Sequence, residues 1–216
     1  MKAIGIILAG GIGSRFGADK PKQYCRILGK EMILYSIDAF KNAESIDDFI
    51  VVLDKEQFEK GEIKERYGVK TVLGGSSRNE SFKNALDYIN LNYPDCEKII
   101  ENNAACPMIT SEVIDKYVKI LDEYDYVETA FKITDALGAY DKRDCDRNDF
   151  YLIQSPDAYR FKLLYQYFDE KSPLCHPAQQ LPKETNGYQY FDYGANYKVT
   201  YPYDIDIIEI LMKNKK

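Results

Sequence analysis

Ile4-Gly-Ile-Ile-Leu-Ala-Gly-Gly-Ile-Gly-Ser-Arg-Phe-Gly-Ala-Asp-Lys-Pro-Lys-Gln23 is the stretch that decides the fold. Its first part, Ile4–Leu8, is a continuous apolar run, as expected of a strand covered on both faces. Its second part is a basic loop rich in glycine. Gly10, Gly11, Gly13 and Gly17 let the backbone approach a ligand and take positive φ. Successive backbone N–H groups then form a concavity for phosphate oxygens. Arg15, Lys20 and Lys22 supply the positive charge that a triphosphate, with about four negative charges, needs when it leaves water. A bare glycine turn between strand and helix explains the glycines but not these cations. The dinucleotide fingerprint G-x-G-x-x-G fails at Phe16, and the phosphate loop G-x-x-x-x-G-K-[S/T] has no match.

Outward from this loop, strand and helix patterns alternate. Met32–Asn42 has helical spacing, Asp48–Asp54 holds a second buried strand, Gln57–Tyr67 reads as a polar helix and Lys70–Leu73 as a short strand. Ser77–Leu91 is helical with Phe82, Leu86 and Ile89 on one face. Lys98–Glu101 and Tyr126–Ile133 read as strands on either side of a helix over Ser111–Tyr124. This order predicts a single α/β domain over 1–216, Rossmann-like, with a mostly parallel sheet and helices on both faces. Charge crowds Asp135–Asp149, which reads as a flexible loop or an exposed hairpin arm; 172–187 reads as loop. The tyrosines between Tyr188 and Tyr203 suit strands and strand rims, and a helix from Tyr203 to about Lys213 closes the chain.

Composition narrows the class. Hydrophobic residues make up 45% and charged residues 30%, ordinary for a globular protein. No run of eighteen apolar residues is present and the start lacks a signal-peptide pattern, so the expectation is a cytoplasmic protein with no membrane partner. A net charge of −6 argues against non-specific nucleic-acid binding. Within residues 1–30, Lys2, Arg15, Lys20, Lys22, Arg26 and Lys30 face Asp19 alone, as a discrete anion site would require. The five cysteines, at 25, 96, 106, 145 and 175, are odd in number and no pair has C-x-x-C spacing, which argues against a disulfide framework or a zinc site. The single histidine, His176, reads as a loop residue, and Cys106 as a small buried side chain rather than a nucleophile.

Leu8 to Tyr24 matches, without a gap, the pattern L-A-x-G-x-G-x-R-[MF]-x-x-x-x-P-K-Q-[YF]. Gly74-Gly-Ser-Ser-Arg-Asn-Glu-Ser81, Asp146-Arg-Asn148 with Ser155-Pro156, and Asn196-Tyr-Lys-Val-Thr-Tyr-Pro-Tyr-Asp204 follow in order. On these segments the chain resembles the cytidylyltransferases of sugar-alcohol phosphates, those of methylerythritol phosphate and ribitol phosphate. The resemblance implies a fold of the nucleotide-diphospho-sugar transferase type. It also implies transfer of CMP from CTP to a small phosphorylated acceptor, with Mg²⁺ and a homodimer whose arm, about 134–155, reaches the partner subunit. By the same resemblance, Leu8, Ala9, Gly10, Gly11, Arg15 and Lys22 would hold the triphosphate end. Gly75, Ser76 and Ser81 would read the cytosine, with Arg78 supporting that loop. Lys198 would face the α-phosphate opposite Lys22, and Arg147 and Ser155 would serve the acceptor.

The resemblance has gaps. Asn103 stands where the family has a metal-binding aspartate, and Cys106 where it has an arginine that helps hold the acceptor. Asn103 is thus a weak metal candidate, since an amide carbonyl brings no charge. The family's T-D-[ED]-A-S segment has no clear counterpart in 172–187. Three readings stay open: a cytidylyltransferase with an unusual acceptor, a CTP- or CMP-binding protein without turnover, and a transferase using another nucleotide.

Overall fold

Strand β1, Lys2–Ala9, is buried at every position after Lys2. It lies inside a seven-stranded sheet of order β5-β4-β1-β6-β8-β7-β9. The computed structural model describes residues 2–11, 16, 21–141, 144–194 and 196–214. Beyond β1 the chain runs through a small antiparallel ribbon, β2 (Arg26–Ile27) and β3 (Lys30–Glu31), into α1 (Met32–Asn42) and β4 (Asp48–Leu53). There follow α2 (Lys55–Lys60), α3 (Glu62–Tyr67), β5 (Lys70–Leu73), α4 (Arg78–Asn92), β6 (Cys96–Asn103) and α5 (Ser111–Ile120). The later part holds β7 (Tyr126–Lys132), β8 (Tyr151–Arg160), α6 (Phe161–Tyr167), β9 (Gly187–Tyr190) and α7 (Asp204–Asn214).

The apolar runs are continuous because both sheet faces are covered. Ile7, Ala9, Val51, Leu53 and Ile100 pack with Ile37 and Phe40 of α1 and Ile114 and Tyr117 of α5. Ile4, Ile6, Leu8, Val52 and Ile99 pack on the other face with Phe82, Leu86 and Ile89 of α4 and Phe161 and Leu164 of α6. Each fully buried isoleucine contributes roughly 1.5–3 kcal/mol. Gly5 is required by this packing: a Cβ there would stand 2.5 Å from the Phe40 ring.

The sheet is mostly parallel, with one exception. β8 runs antiparallel to both β6 and β7, whereas β1, β4, β5 and β6 form parallel pairs. β7 and β8 are joined without a crossover helix, so they pair antiparallel, Lys132 opposite Tyr151. Tyr151–Arg160 and Phe161–Tyr167 form β8 and α6, two elements beyond those the sequence pattern predicts. Among the described residues, the expected β-arm over 134–155 carries strand only at its end, from Tyr151; Arg147–Asp149 is a single 3₁₀ turn. Asp141–Asp149 has too many charges and too few apolar side chains to bury a face. The polar helix expected over Gln57–Tyr67 is two helices, split where Gly61 takes φ +70°.

Candidate active site

A cleft of about 770 Å³ opens at the C-terminal ends of β1, β4 and β6, the usual ligand position in an open α/β sheet. The end of β1, the turn before α4 and the segment near Lys198 build most of it, with Asp54 and Lys55 after β4 and Asn103, Ala104 and Ala105 at the end of β6.

At the end of β1, Leu8, Ala9, Gly10 and Gly11 form one wall. Gln23, 2% exposed, donates its amide to the Ala9 carbonyl at 2.6 Å and holds the returning loop against the strand. Lys22 enters the cleft beside it and donates to the Val199 carbonyl at 2.7 Å. Arg15, expected at the triphosphate, lies outside the described residues, as do Gly13, Gly17 and Lys20.

Gly74–Ser81 forms the opposite wall. The Gly74 N–H donates to the Leu53 carbonyl at 2.7 Å, which ties the loop to the end of β4. The Gly75 N–H donates to Ser81 Oγ at 3.0 Å. Ser77 caps α4 by accepting from the Glu80 N–H at 3.0 Å, and the Glu80 carboxylate accepts from the Ser76 N–H at 2.8 Å. Arg78 lines the cleft but spends its guanidinium elsewhere: Nη2 donates to both oxygens of the fully buried Glu101 at 2.9 and 2.8 Å. Nη1 donates to the Cys175 carbonyl at 2.7 Å.

Lys198 and Thr200 complete the cleft. Their segment is anchored by Val199 N–H donating to the Ala105 carbonyl at 2.8 Å. Asn196, 1% exposed, accepts from the Met108 N–H at 3.0 Å and donates to the Ser155 carbonyl at 2.8 Å. Asp204 caps the turn into α7 by accepting from the Thr200 and Tyr201 N–H groups at 2.7 and 2.8 Å.

Of the residues singled out from sequence, Leu8, Ala9, Gly10, Gly11, Lys22, Gly75, Ser76, Arg78, Ser81, Asn103 and Lys198 line this one cleft. Ser155 and Arg147 do not. Ser155 supports Asn196 through its backbone. Arg147 donates to the Thr134 carbonyl and lines a second cavity of about 530 Å³ with Lys132, Phe150, Tyr151 and Phe191. Asp54 lines the cleft and was missed; as the cap of α2 it carried only a helix-start signal.

Asn103 ends β6 and Cys106 follows the turn after it. Asn103 Oδ1 accepts from the Ala105 N–H at 3.0 Å, and the Cys106 N–H donates to the Asn103 carbonyl at 2.8 Å. No group of three or more His, Cys, Asp or Glu able to hold a metal occurs among the described residues. The Asn103 carboxamide oxygen would bring a divalent cation no charge, whereas Asp54, which lines the same cleft, keeps a buried Oδ2 without a hydrogen-bond partner among the described residues. Cys106 is 2% exposed; burial pushes its thiol up to about 12 despite the Lys198 and Lys22 ammoniums nearby. It is therefore a neutral packing residue. His176 corrects the loop reading in one respect: it precedes a 3₁₀ turn but is only 9% exposed, with Nε2 3.2 Å from Asp157 Oδ2. No helix among the described residues is long and apolar enough to cross a membrane.

Comparison with known proteins agrees with this architecture. A 2-C-methyl-D-erythritol 4-phosphate cytidylyltransferase from Bifidobacterium longum subsp. infantis is 30% identical over 81% of this chain and 65% of its own length. A bifunctional ribulose 5-phosphate reductase/CDP-ribitol pyrophosphorylase from Haemophilus influenzae is 28% identical over 99% of this chain and 49% of its own. The chain thus spans 65% of the length of the first of these relatives and about half of the second. The crystal structure of 4-diphosphocytidyl-2C-methyl-D-erythritol synthase from Anaerococcus prevotii superposes with a TM-score of 0.83 at 21% identity, covering 99% of this chain and 96% of that one; it shares the fold. The model of the 2-C-methyl-D-erythritol 4-phosphate cytidylyltransferase family matches residues 3–214, nearly the whole sheet and every wall of the cleft, and the chain belongs to that family.

Proposed function

We propose that the chain transfers CMP from CTP to a small phosphorylated sugar alcohol and releases pyrophosphate. The observation that carries this reading is the placement of Lys22 and Lys198, from opposite ends of the sequence, in one cleft with the Gly10–Gly11 backbone and the Gly74–Ser81 loop. The triphosphate lies along the glycines, and the base lies against Gly75, Ser76 and Ser81.

The acceptor's phosphate has a second pKa of about 6, so it is largely a dianion near neutrality and needs no general base. One of its oxygens attacks the α-phosphorus in line. The new P–O bond forms as the bond to the β-phosphate bridging oxygen breaks, and pyrophosphate carries the electrons away. Lys22 and Lys198 hold the α-phosphate and offset the charge that builds there. Any Mg²⁺ belongs to the substrate, arriving on the triphosphate. Arg147, placed in the second cavity, serves the acceptor phosphate only if a partner subunit brings it to the cleft, so the reading includes a homodimer.

The test is pyrophosphate release from CTP with methylerythritol, ribitol and glycerol phosphates as acceptors, run beside UTP, GTP and ATP. CTP-dependent release with one acceptor is expected. A CTP-induced rise in melting temperature without turnover favours the binding-only reading, for which the uncharged turn at Asn103 speaks. No response to any nucleotide overturns both.

A further inference from the structure

Behind the base-side wall of the cleft lies a row of three buried carboxylates. Glu101 of β6, Asp157 of β8 and Glu128 of β7 are direct register partners on adjacent strands. They are 0%, 2% and 3% exposed. Three like charges side by side in the interior are costly unless cations and hydrogen bonds meet them. Arg78 meets one end through Glu101. The Tyr151 hydroxyl donates to Glu128 at the other. The middle falls to His176, whose Nε2 is 3.2 Å from Asp157 Oδ2 and whose Nδ1 is 3.7 Å from Glu128 Oε2.

Both ring nitrogens therefore face carboxylates. A neutral imidazole has one N–H and would turn a lone pair toward one acid; the imidazolium turns an N–H toward each, within hydrogen-bond reach at Asp157 and as a longer ion pair at Glu128. With His176 charged, two cations stand against three carboxylates; with it neutral, Arg78 stands alone. The groups facing the ring are Glu101 from β6, Glu128 from β7, and Asp157 and Tyr159 from β8; Arg78 from α4 acts on it through Glu101 and Asp157, and Tyr126 and Tyr151 through Glu128.

The same contacts reach the cleft. Arg78 holds the Cys175 carbonyl, beside His176, at 2.7 Å. Asn79 in the first turn of α4 donates to the carbonyls of Ser172 and Leu174 at 3.1 and 2.9 Å. Segment 172–181 is thus bonded both to the carboxylate row and to the helix start that shapes Gly74–Ser81.

We infer that His176, carried as the imidazolium, is a positioning residue for the base side of the cleft, pinning segment 172–181 over the carboxylate row and thereby holding Arg78 and the Gly74–Ser81 loop. Burial works against the charged ring, but Asp157, Glu128 and Glu101 outweigh it and raise the imidazole above its ordinary value. The sign follows: the clamp is complete below the ordinary imidazole value and is lost as pH rises through the raised folded one. Its kinetic consequence rests on the cytidylyltransferase reading; its structural one does not.

The test begins without nucleotide. The chain has one histidine, so the imidazole NMR signal of the full chain is unambiguous. Its midpoint is expected above the ordinary value, lower in Asp157→Asn, with amides of 172–181 and 74–81 exchanging faster above it. A midpoint at or below the ordinary value, or exchange indifferent to it, overturns the inference. With nucleotide, CTP should raise the midpoint further, by reciprocity. His176→Gln should raise KM for CTP about tenfold, leave kcat within about twofold, and flatten the pH dependence of KM. An unchanged KM and pH profile in that variant overturns the role. If wild-type protein does not bind CTP at all, the cytidylyltransferase reading fails, and the nucleotide-free titration still decides the clamp.

Discussion

Lys22 Nζ donates to the Val199 carbonyl at 2.7 Å, a contact between residues 177 positions apart in the sequence. It brings the cation of the opening loop next to the backbone that carries Lys198. The two lysines thus form one electrostatic unit, and both act on the same buried thiol, Cys106.

Removing either lysine should therefore strike the chemical step rather than the fold. Lys22→Ala and Lys198→Ala are each expected to lower kcat about 10²–10³-fold, the usual cost of losing one donor to a developing oxyanion. Pyrophosphate release measures it. The double variant should lose less than the product of the single losses, because neighbours in one site are not additive. A fully multiplicative double variant would show that the two act on separate atoms.

Gly74 has no room for a side chain. A Cβ there would lie 2.9 Å from the Leu53 carbonyl and 3.0 Å from Ser81 Oγ. The first neighbour is backbone at the end of β4 and cannot swing aside. Gly74→Ala should cost about 1–3 kcal/mol, as overpacking does, and lower the melting temperature by several degrees. It should also weaken nucleotide binding, since Ser81 is displaced from the Gly75 N–H. Calorimetry with and without CTP separates the two effects.

Asp48 offers a pH test away from the cleft. Burial pushes its carboxyl up, but Lys70 Nζ at 2.5 Å, the Tyr93 hydroxyl at 2.8 Å and the Phe49 N–H at 2.8 Å pull it below the ordinary carboxylate range. A depressed folded value means stability that is present above the unfolded value and lost as pH falls through the folded one. Lys70 is half exposed, so solvent screens the pair. Asp48→Asn should cost under about 1 kcal/mol near neutrality, and the deficit should shrink in acid. Denaturant unfolding at both conditions checks it.

The glycine-rich walls of the cleft were legible in the sequence, because their signals are local. The apolar run Ile4–Leu8, the glycines that follow and the Gly74–Ser81 turn each work within a few residues, and they meet in one cleft. β8 was hidden because Tyr151–Arg160 alternates poorly: its middle carries Gln154, Ser155 and Asp157. Asp157 is polar for the sake of partners on β6, β7 and segment 172–181, and no local pattern reveals them. His176 was read as a loop residue for the same reason. The visible hint was a set of acids, Glu101, Glu128 and Asp157, standing inside or beside apolar strand sequence. The cavity around Arg147 lies apart from the cleft and shares no lining residue with it.

Cys106 supplies the sharpest test of whether the chemistry is phosphoryl positioning or covalent catalysis. A nucleophilic cysteine must reach substrate as a thiolate. Here the thiol is 2% exposed and burial pushes it up to about 12, so near neutrality it stays protonated and out of reach. Cys175, by contrast, is exposed. Iodoacetamide should therefore label Cys175 readily and Cys106 only on unfolding, read by peptide mass mapping. Cys106→Ala should keep kcat within about threefold, its loss being a small cavity worth about 1 kcal/mol rather than a reacting atom. Rapid labelling of Cys106 in the folded protein, or loss of turnover in Cys106→Ala with an unchanged melting temperature, would contradict a mechanism in which the acceptor phosphate attacks CTP directly.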